Sequence, residues 1–227
     1  MKAIIKKGMW FYMFFILPMA LNAQNDVTQF LGIPVDGSKS EMIQKLIDKG
    51  FTIDSHVKDV LVGEFNGIDV QIFIATNNNK VRRISVVNAK PTSEENIKIM
   101  FNNLLKQFQN NKKYLYTPDS SIVKYTIPQD EDISYELLVK KKIYQALFYQ
   151  RTAAFDSLSL QINTLKEKMP LNETDKDQLI TLAKSQIKEL YNCFKKQVWL
   201  NLSKMSGGYY ITIYYDNVYN EANGEGL

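Results

Sequence analysis

Three runs rich in β-branched residues follow one another between residues 59 and 88: "DVLVGEFN", "IDVQIFIATN" and "KVRRISVVN". Asn66-Gly67 separates the first two runs, and "TNNNK" separates the last two. An Asn-Gly pair between hydrophobic runs is the strongest short-range signal for a hairpin turn between adjacent antiparallel strands. The sequence therefore predicts a three-stranded antiparallel meander in this part of the chain.

Two amphipathic helices are predicted, one before this meander and one after it. In "GSKSEMIQKLIDKGF", Ser38 and Glu41 have the spacing of a capping box, and Gly50 ends the helix. After Pro91 the same spacing links Thr92 to Glu95. The apolar stripe of the second helix consists of Ile97, Met100, Phe101, Leu104, Leu105 and Phe108.

The strands after the second helix are less clearly marked. "SIVKYTIP" (residues 121–128) is typical of a strand that Pro128 closes. In "ISYELLVKKKIYQALFYQ" (residues 133–150), apolar and polar positions alternate, which favours a hairpin that turns at residues 140–142. A helix is the alternative, because no Gly or Asn marks that turn.

Residues 155–195 have helical periodicity again. Pro170 ends a first amphipathic segment, and Thr174 with Asp177 can cap a second one, so the segment predicts a helical hairpin. "VWLNLS" and "GYYITIYYDN" then form a last strand pair that turns at "KMSGG". This order predicts an α+β fold of two helix-plus-antiparallel-sheet units, residues 24–90 and 91–227, with the helical hairpin inserted in the second at about 155–195.

The first 23 residues predict a secretory signal peptide. Lys2, Lys6 and Lys7 form a basic start, an apolar run follows, and Ala23 precedes a polar segment. The run from Trp10 to Leu21 has 12 residues, whereas a bilayer span needs about 20. We expect an exported protein, periplasmic or extracellular, with no membrane span after cleavage; an uncleaved anchor is the alternative.

Charge and cysteine content restrict the partners and the means of stabilisation. Loss of the three signal-peptide lysines from 28 basic residues leaves 25, against 24 acidic residues. This near-neutral balance predicts no nucleic-acid partner and makes residues 140–142 and "KVRR" solvated basic faces. Cys193 is the only cysteine, so no internal disulfide forms, and its apolar surroundings predict a buried small hydrophobe.

The sequence predicts no enzyme, no metal site and no cofactor. His56 is the single histidine, and we expect it to be solvated. The carboxylates of "DEDISYE" are interpreted as a solvated acidic turn: Asp130, Glu131, Asp132 and Glu136. The tail carries oxygen ligands without the order of a calcium loop, so capping and turn roles are favoured: Asp216, Asn217, Asn220, Glu221 and Asn223.

Five tyrosines lie between residues 209 and 219. Strand alternation places Tyr209, Ile211, Ile213 and Tyr215 on one face, which the isoleucines identify as the core. The opposite face supplies the candidate partner-binding residues, in which aromatic rings stand beside small polar groups: Trp199, Asn201, Tyr210 and Tyr214. The alternative is cross-strand aromatic pairing on a face covered by the inserted helices.

The two ends of the mature chain resemble a set of uncharacterised proteins secreted by gut anaerobic bacteria. The resemblance rests on "FLGIPVDGSKSEMIQKLIDKGF" and on a YDN-N-ANGE-type tail, here Tyr215, Asp216, Asn217, Asn220, Ala222, Asn223, Gly224 and Glu225. Gly226 stands where that set carries an acidic residue, and the set lacks an insert like residues 155–195. The helix-then-meander order is also similar to tandem modules of the beta-lactamase-inhibitor-like and outer-membrane assembly lipoprotein type. Both resemblances imply location and fold, and neither implies an activity.

These patterns together predict a non-catalytic exported module that binds a protein or carbohydrate partner through the face around Trp199, Tyr210 and Tyr214. A structural or assembly factor of the cell envelope, acting through the helical hairpin, is the alternative.

Overall fold

The predicted meander forms one half of a larger sheet. Its strands are β4 (Val60–Phe65), β5 (Ile68–Asn77) and β6 (Lys80–Asn88), and a short β3 (Thr52–Ile53) extends the edge. Asn66 and Gly67 both have positive φ, 55° and 78°, as a two-residue hairpin turn of the favoured type requires. The meander prediction is confirmed.

The computed structural model describes residues 26–116, 126–168, 170–205 and 207–222. The predicted signal peptide and residues 223–226 of the tail lie outside this range. Within it, the other half of the sheet consists of β7 (Tyr114–Leu115), β8 (Tyr144–Gln150), β9 (Gln197–Met205) and β10 (Gly208–Asp216).

The two halves of the sheet are continuous. The strand order is β3-β4-β5-β6-β10-β9-β8-β7, and every neighbouring pair is antiparallel. The predicted α+β class is confirmed. The last strand of the chain, β10, pairs with β6 and so joins the predicted N-terminal unit to the C-terminal one.

A separate two-stranded ribbon near the N-terminus closes one end of the core. It comprises β1 (Gln29–Phe30) and β2 (Ile33–Pro34). Phe30 is fully buried, and its ring centroid lies 4.8 Å from that of Tyr215 on β10.

Two helices cover one face of the large sheet, which we call the inner face. These are α1 (Lys39–Ile47) and α2 (Glu94–Asn110). Their buried apolar side chains, including Leu46 and Phe101, belong to one hydrophobic cluster with the inward-facing strand residues. The opposite face of the sheet is called the outer face below.

One predicted helix cap is confirmed and two are shifted. Ser38 and Glu41 form the complete capping box of α1. Helix α2 is capped by Ser93 instead of Thr92, because the backbone N–H and C=O of Thr92 pair with Tyr209 at 3.0 and 2.9 Å. The last long helix is capped by Asn172 instead of Thr174.

The hairpin predicted for residues 133–150 is wrong in its first half. Residues Ile133–Leu138 form a short helix, α3, and only the second half is a strand, β8. Two carboxylates satisfy the first N–H groups of the helix: Asp132 accepts from Tyr135 and Glu94 accepts from Ile133, each at 2.8 Å. These bonds favour the helix over the alternating pattern, because the first N–H groups of a helix have no partner within it.

The strand predicted for residues 121–128 lies mostly outside the described residues, and residues 126–128 are not a strand. The hydrogen bonding of Ile127 explains why. The side-chain amide of Asn102 donates to Ile127 O at 2.9 Å and accepts from Ile127 N at 2.8 Å. Both backbone groups of Ile127 are therefore already paired with a helix side chain.

The predicted helical hairpin is present as α4 (Ala153–Lys166) and α5 (Glu173–Phe194). The two helices pack on each other and bury Ile162 and Leu165. Helix α5 meets the sheet at β8, where the ring of Phe194 lies 4.9 Å from that of Tyr149. Among the described helices, none combines the length and apolar character that a membrane span needs.

The two faces of β10 predict unequal stability effects. We expect Ile211→Ala, on the inner face, to lower the free energy of unfolding by about 2–5 kcal/mol, because it leaves a cavity in the core. The control Tyr210→Ala, on the outer face, should cost about 1 kcal/mol or less. Urea unfolding measures both, and equal losses would contradict the assignment of the faces.

Candidate functional site

The final strand obeys the predicted alternation. Tyr209, Ile211, Ile213 and Tyr215 are buried on the inner face. All four candidate partner-binding residues lie on the outer face and are half-buried: Trp199, Asn201, Tyr210 and Tyr214. The structure therefore brings them to one surface and leaves each partly exposed, although α5 packs on the same face at Tyr149.

Strand register builds an apolar row across the outer face. Leu147 pairs with Trp199, Trp199 with Tyr214, Tyr214 with Ser85, and Ser85 with Phe73. Because neighbouring strands lie about 4.8 Å apart, these five strands carry the row over about 19 Å. Phe73, at its far end, is 40% exposed. We call this set the aromatic row.

A second row, made largely of uncharged polar side chains, runs beside the aromatic row. Its members pair in the order Gln145, Asn201, Thr212, Val87 and Gln71. The amide of Gln145 donates to Asn201 Oδ1 at 3.2 Å. The outer face therefore places hydrogen-bonding amides next to apolar rings, as the apolar core and polar rim of a protein interface do.

The rings of Trp199 and Tyr214 are stacked on one another. Their centroids are 4.0 Å apart and their planes differ by 21°. The two residues sit side by side on neighbouring strands, so each ring covers one face of the other. Trp199 also lines a cavity of about 210 Å³ with Gln145, Leu147 and Gln197, which forms a slot beside the indole.

Asp216 holds this aromatic pair in place. Its carboxylate accepts from Arg83 Nε at 2.5 Å, from Arg83 Nη2 at 2.8 Å and from the indole N–H of Trp199 at 2.8 Å. The guanidinium carbon lies 5.3 Å from the Trp199 ring and 4.9 Å from the Tyr214 ring. The hydrogen bond with Asp216 raises the pKa of Arg83. Arg83 is thus a partner of a carboxylate that is nearly inaccessible to solvent, and its interpretation as a solvated basic residue is wrong.

The tail asparagines have structural roles. Asn217 caps a 3₁₀ turn (Val218–Asn220) and donates to Val35 O at 2.7 Å. Asn220 donates to Asp36 Oδ1 at 2.9 Å and to Val81 O at 2.7 Å. These bonds fasten residues 217–220 to the segment that follows the N-terminal ribbon and to β6. The capping role predicted for the tail is confirmed at Asn217.

A cluster on the inner-face side contains residue types that occur in catalysis. Ser134 Oγ receives a hydrogen bond from Lys204 Nζ at 2.6 Å, lies 3.2 Å from Glu94 Oε2 and contacts the hydroxyl of Tyr209. Burial raises the pKa of Glu94, but hydrogen bonds from Tyr209, Ile133 N–H and Ser134 outweigh burial and lower it. A serine nucleophile needs a neighbouring base that takes its proton, whereas Lys204 donates to Ser134 here. The ionised carboxylate of Glu94 accepts from Ser134, Tyr209 and Ile133 N–H. These hydrogen bonds join α2, α3 and β10.

The acidic segment "DEDISYE" is not a solvated turn throughout. Glu131 is largely enclosed and accepts from Lys142 Nζ at 2.5 Å and from the hydroxyl of Tyr144. Burial raises the pKa of Glu131, but these two hydrogen bonds have the larger effect, so the pKa is lowered overall. The segment therefore anchors α3 to β8 through a fully buried tyrosine.

His56 and Cys193 have the surroundings that the sequence predicts. The side chain of His56 is exposed, as predicted, and Cys193 is buried, with its thiol pKa raised by burial. In the described ranges, no group of three His, Cys, Asp or Glu side chains is placed to hold a metal ion.

Comparisons of the chain with protein-family models, with curated proteins and with solved structures found no match. The resemblances noted from the two ends of the chain therefore stay predictions.

The carboxylate of Asp216 predicts a large and specific stability effect. We expect Asp216→Ala to lower the free energy of unfolding by about 3 kcal/mol, because a partly buried guanidinium loses its anion. Urea unfolding of Asp216→Ala, Arg83→Met and the double variant gives the coupling, which we expect to exceed about 1 kcal/mol.

Lys39→Ala is the matched control, since it breaks an exposed ion pair with Asp59. Such pairs contribute about 0–1 kcal/mol. A loss in Asp216→Ala no greater than in Lys39→Ala would contradict the structural role of the pair.

Proposed function

We propose that this protein is a non-catalytic exported binding module and that it binds a protein partner through the outer face. The observation that carries the proposal is the aromatic row: Leu147, Trp199, Tyr214 and Phe73 present apolar surface on a sheet face that α1 and α2 leave free. Aromatic and arginine side chains concentrate binding energy at protein interfaces.

The orientation of the rings favours a protein over a carbohydrate. A sugar stacks on the flat face of an aromatic ring. One face of Trp199 is already occupied by Tyr214, and a slot of about 210 Å³ lies beside the indole. A slot lined by Leu147 and the free side of the indole suits an apolar side chain inserted by a partner.

The rigidity of the surface supports the same function. The indole N–H of Trp199 is held by Asp216, and Arg83 packs over both rings. Side chains that are already ordered lose little conformational entropy when a partner binds. Arg83 and Asp216, the charges beside the row, are paired with each other, so we expect an interface governed by apolar contact and amide hydrogen bonds.

Photo-crosslinking tests this surface in the cells that produce the protein. A photoreactive phenylalanine analogue in place of Tyr210 should yield a discrete protein adduct, which Leu147→Arg abolishes because arginine blocks the slot. The same analogue in place of Tyr135, an exposed tyrosine on α3, is the control and should give no such adduct. Adducts of equal yield at both positions, or retention by immobilised polysaccharide in affinity electrophoresis that Leu147→Arg removes, would overturn the proposal of a protein partner.

A second candidate function is an envelope assembly factor that acts through the helical hairpin. Ile180, Ile187 and Tyr191 share one face of α5 and are all more than half exposed, at 52%, 60% and 65%. Positions spaced by seven and four residues form a stripe that a facing helix can cover.

Self-association through this stripe has a direct test. If the hairpin is the docking element, light scattering coupled to size exclusion shows an oligomer, and Ile187→Glu converts it to the monomer. Lys188→Glu, at the adjacent exposed position, is the control and leaves the mass unchanged. A monomeric wild-type protein would count against self-association by the hairpin.

A further inference from the structure

A cleft lies on the inner-face side of the sheet, away from the aromatic row. It consists of two cavities of about 510 and 640 Å³ that share Leu31, Phe65, Asn111, Tyr114 and Tyr215 in their walls. Both volumes fall in the range of about 300–1,000 Å³ that is typical of small-molecule sites. Because the walls are shared, the two cavities adjoin along one cleft between the N-terminal ribbon and the end of α2.

The two ends of the cleft differ in chemistry. The first cavity is lined by large apolar side chains, among them Phe51, Leu104, Phe108 and Ile213, together with polar ones that include Lys49 and Glu64. The second is lined by charged and amide side chains, among them Lys113, Gln150, Arg151 and Lys196. A ligand that fills both ends must itself be amphipathic.

The polar end carries an excess of positive charge. Lys196 Nζ forms an ion pair with Asp26 Oδ1 at 2.6 Å. Arg151 Nε lies 2.6 Å from Asp156 Oδ1, but the two groups are not aligned for a hydrogen bond. Lys113 has no ion-pair partner among the described residues and lines the same cavity. Counted over the described residues, three cations against two carboxylates leave one positive charge in excess at this end, which favours an anionic group.

The boundary between the two ends is rigid. The hydroxyl of Tyr114 accepts a hydrogen bond from the side-chain amide of Gln150 at 3.4 Å. The side-chain amide of Gln150 accepts from Gln29 N and donates to Gln29 O, each at 2.7 Å. These bonds tie the N-terminal ribbon to β8 and set the width of the cleft.

Leu31, which lines the cleft, has an unusual backbone conformation. It occupies the first turn position of the ribbon with φ 52°, and 41% of its surface is exposed. A left-handed backbone is strained for leucine, and strain of this kind concentrates at ligand-binding sites. The leucine lines both cavities, so its side chain is available to cover an apolar chain lying in the cleft.

We propose that the cleft binds a single-chain amphiphile, with its apolar chain against Phe65 and Phe108 and its anionic head group beside Lys113. This ligand site is separate from the partner surface proposed above, because the two lie on opposite faces of the sheet.

Fluorescence titration with a dansylated fatty acid tests the cleft in the purified protein. We expect saturable binding, and displacement by decanoate at a concentration about tenfold lower than by decyltrimethylammonium, because Lys113 attracts the carboxylate and repels the ammonium; tenfold corresponds to about 1.4 kcal/mol. Absence of saturable binding, or equal displacement by both detergents, would overturn the proposal.

Two variants separate the ends of the cleft. Lys113→Glu should weaken binding of decanoate about tenfold and leave decanol unchanged, whereas the adjacent control Lys112→Glu, outside the cavity walls, should alter neither. Leu31→Asn should weaken both ligands, because asparagine tolerates the left-handed backbone but removes the apolar contact.

Tyr210→Ala should leave decanoate binding unchanged, so failure of the outer-face proposal and failure of this one are distinguishable. Equal effects of Lys113→Glu and Lys112→Glu would show that decanoate responds to overall charge, and this result would also overturn the proposal.

Discussion

The antiparallel pairing of β6 with β10 is the contact on which the rest of the structure depends, since it joins the two halves of the sheet. Asp216 and Arg83 face each other in this pairing and form a bidentate ion pair. A carboxylate that is only 2% exposed needs such a partner to remain charged. The same carboxylate binds Trp199 on β9, so one side chain links three strands and orients the aromatic row.

Strand alternation gives β10 two separate roles. Tyr214 faces outward into the aromatic row, and the next residue, Tyr215, faces inward, where it contacts Phe30 and lines the amphipathic cleft. The proposed partner surface and the proposed ligand site are therefore built on opposite sides of the same strand. The strand is held from both faces, by Arg83 outside and by the N-terminal ribbon inside, so each site rests on a rigid backbone.

Sequence patterns predicted the structure correctly where the interaction that determines it joins residues close together in the chain. Asn66-Gly67, the Ser38–Glu41 capping box and the alternation in "GYYITIYYD" each depend on residues within one turn or one strand. Predictions were wrong where a distant group decides. Residues 133–138 form a helix because Glu94 accepts from Ile133 N, and Thr92 loses the cap because Tyr209 pairs with its backbone.

The sequence by itself determined the antiparallel α+β character, the helical hairpin and which side chains of β10 face the core, because turn chemistry and two-residue alternation are properties of neighbouring residues. Only the tertiary structure decided that Leu147, Trp199, Tyr214 and Phe73 form one row, that Arg83 neutralises Asp216, and that Leu31 and Lys113 border one cleft. Those relations depend on strand order and on the packing of the ribbon, which bring together residues far apart in the chain.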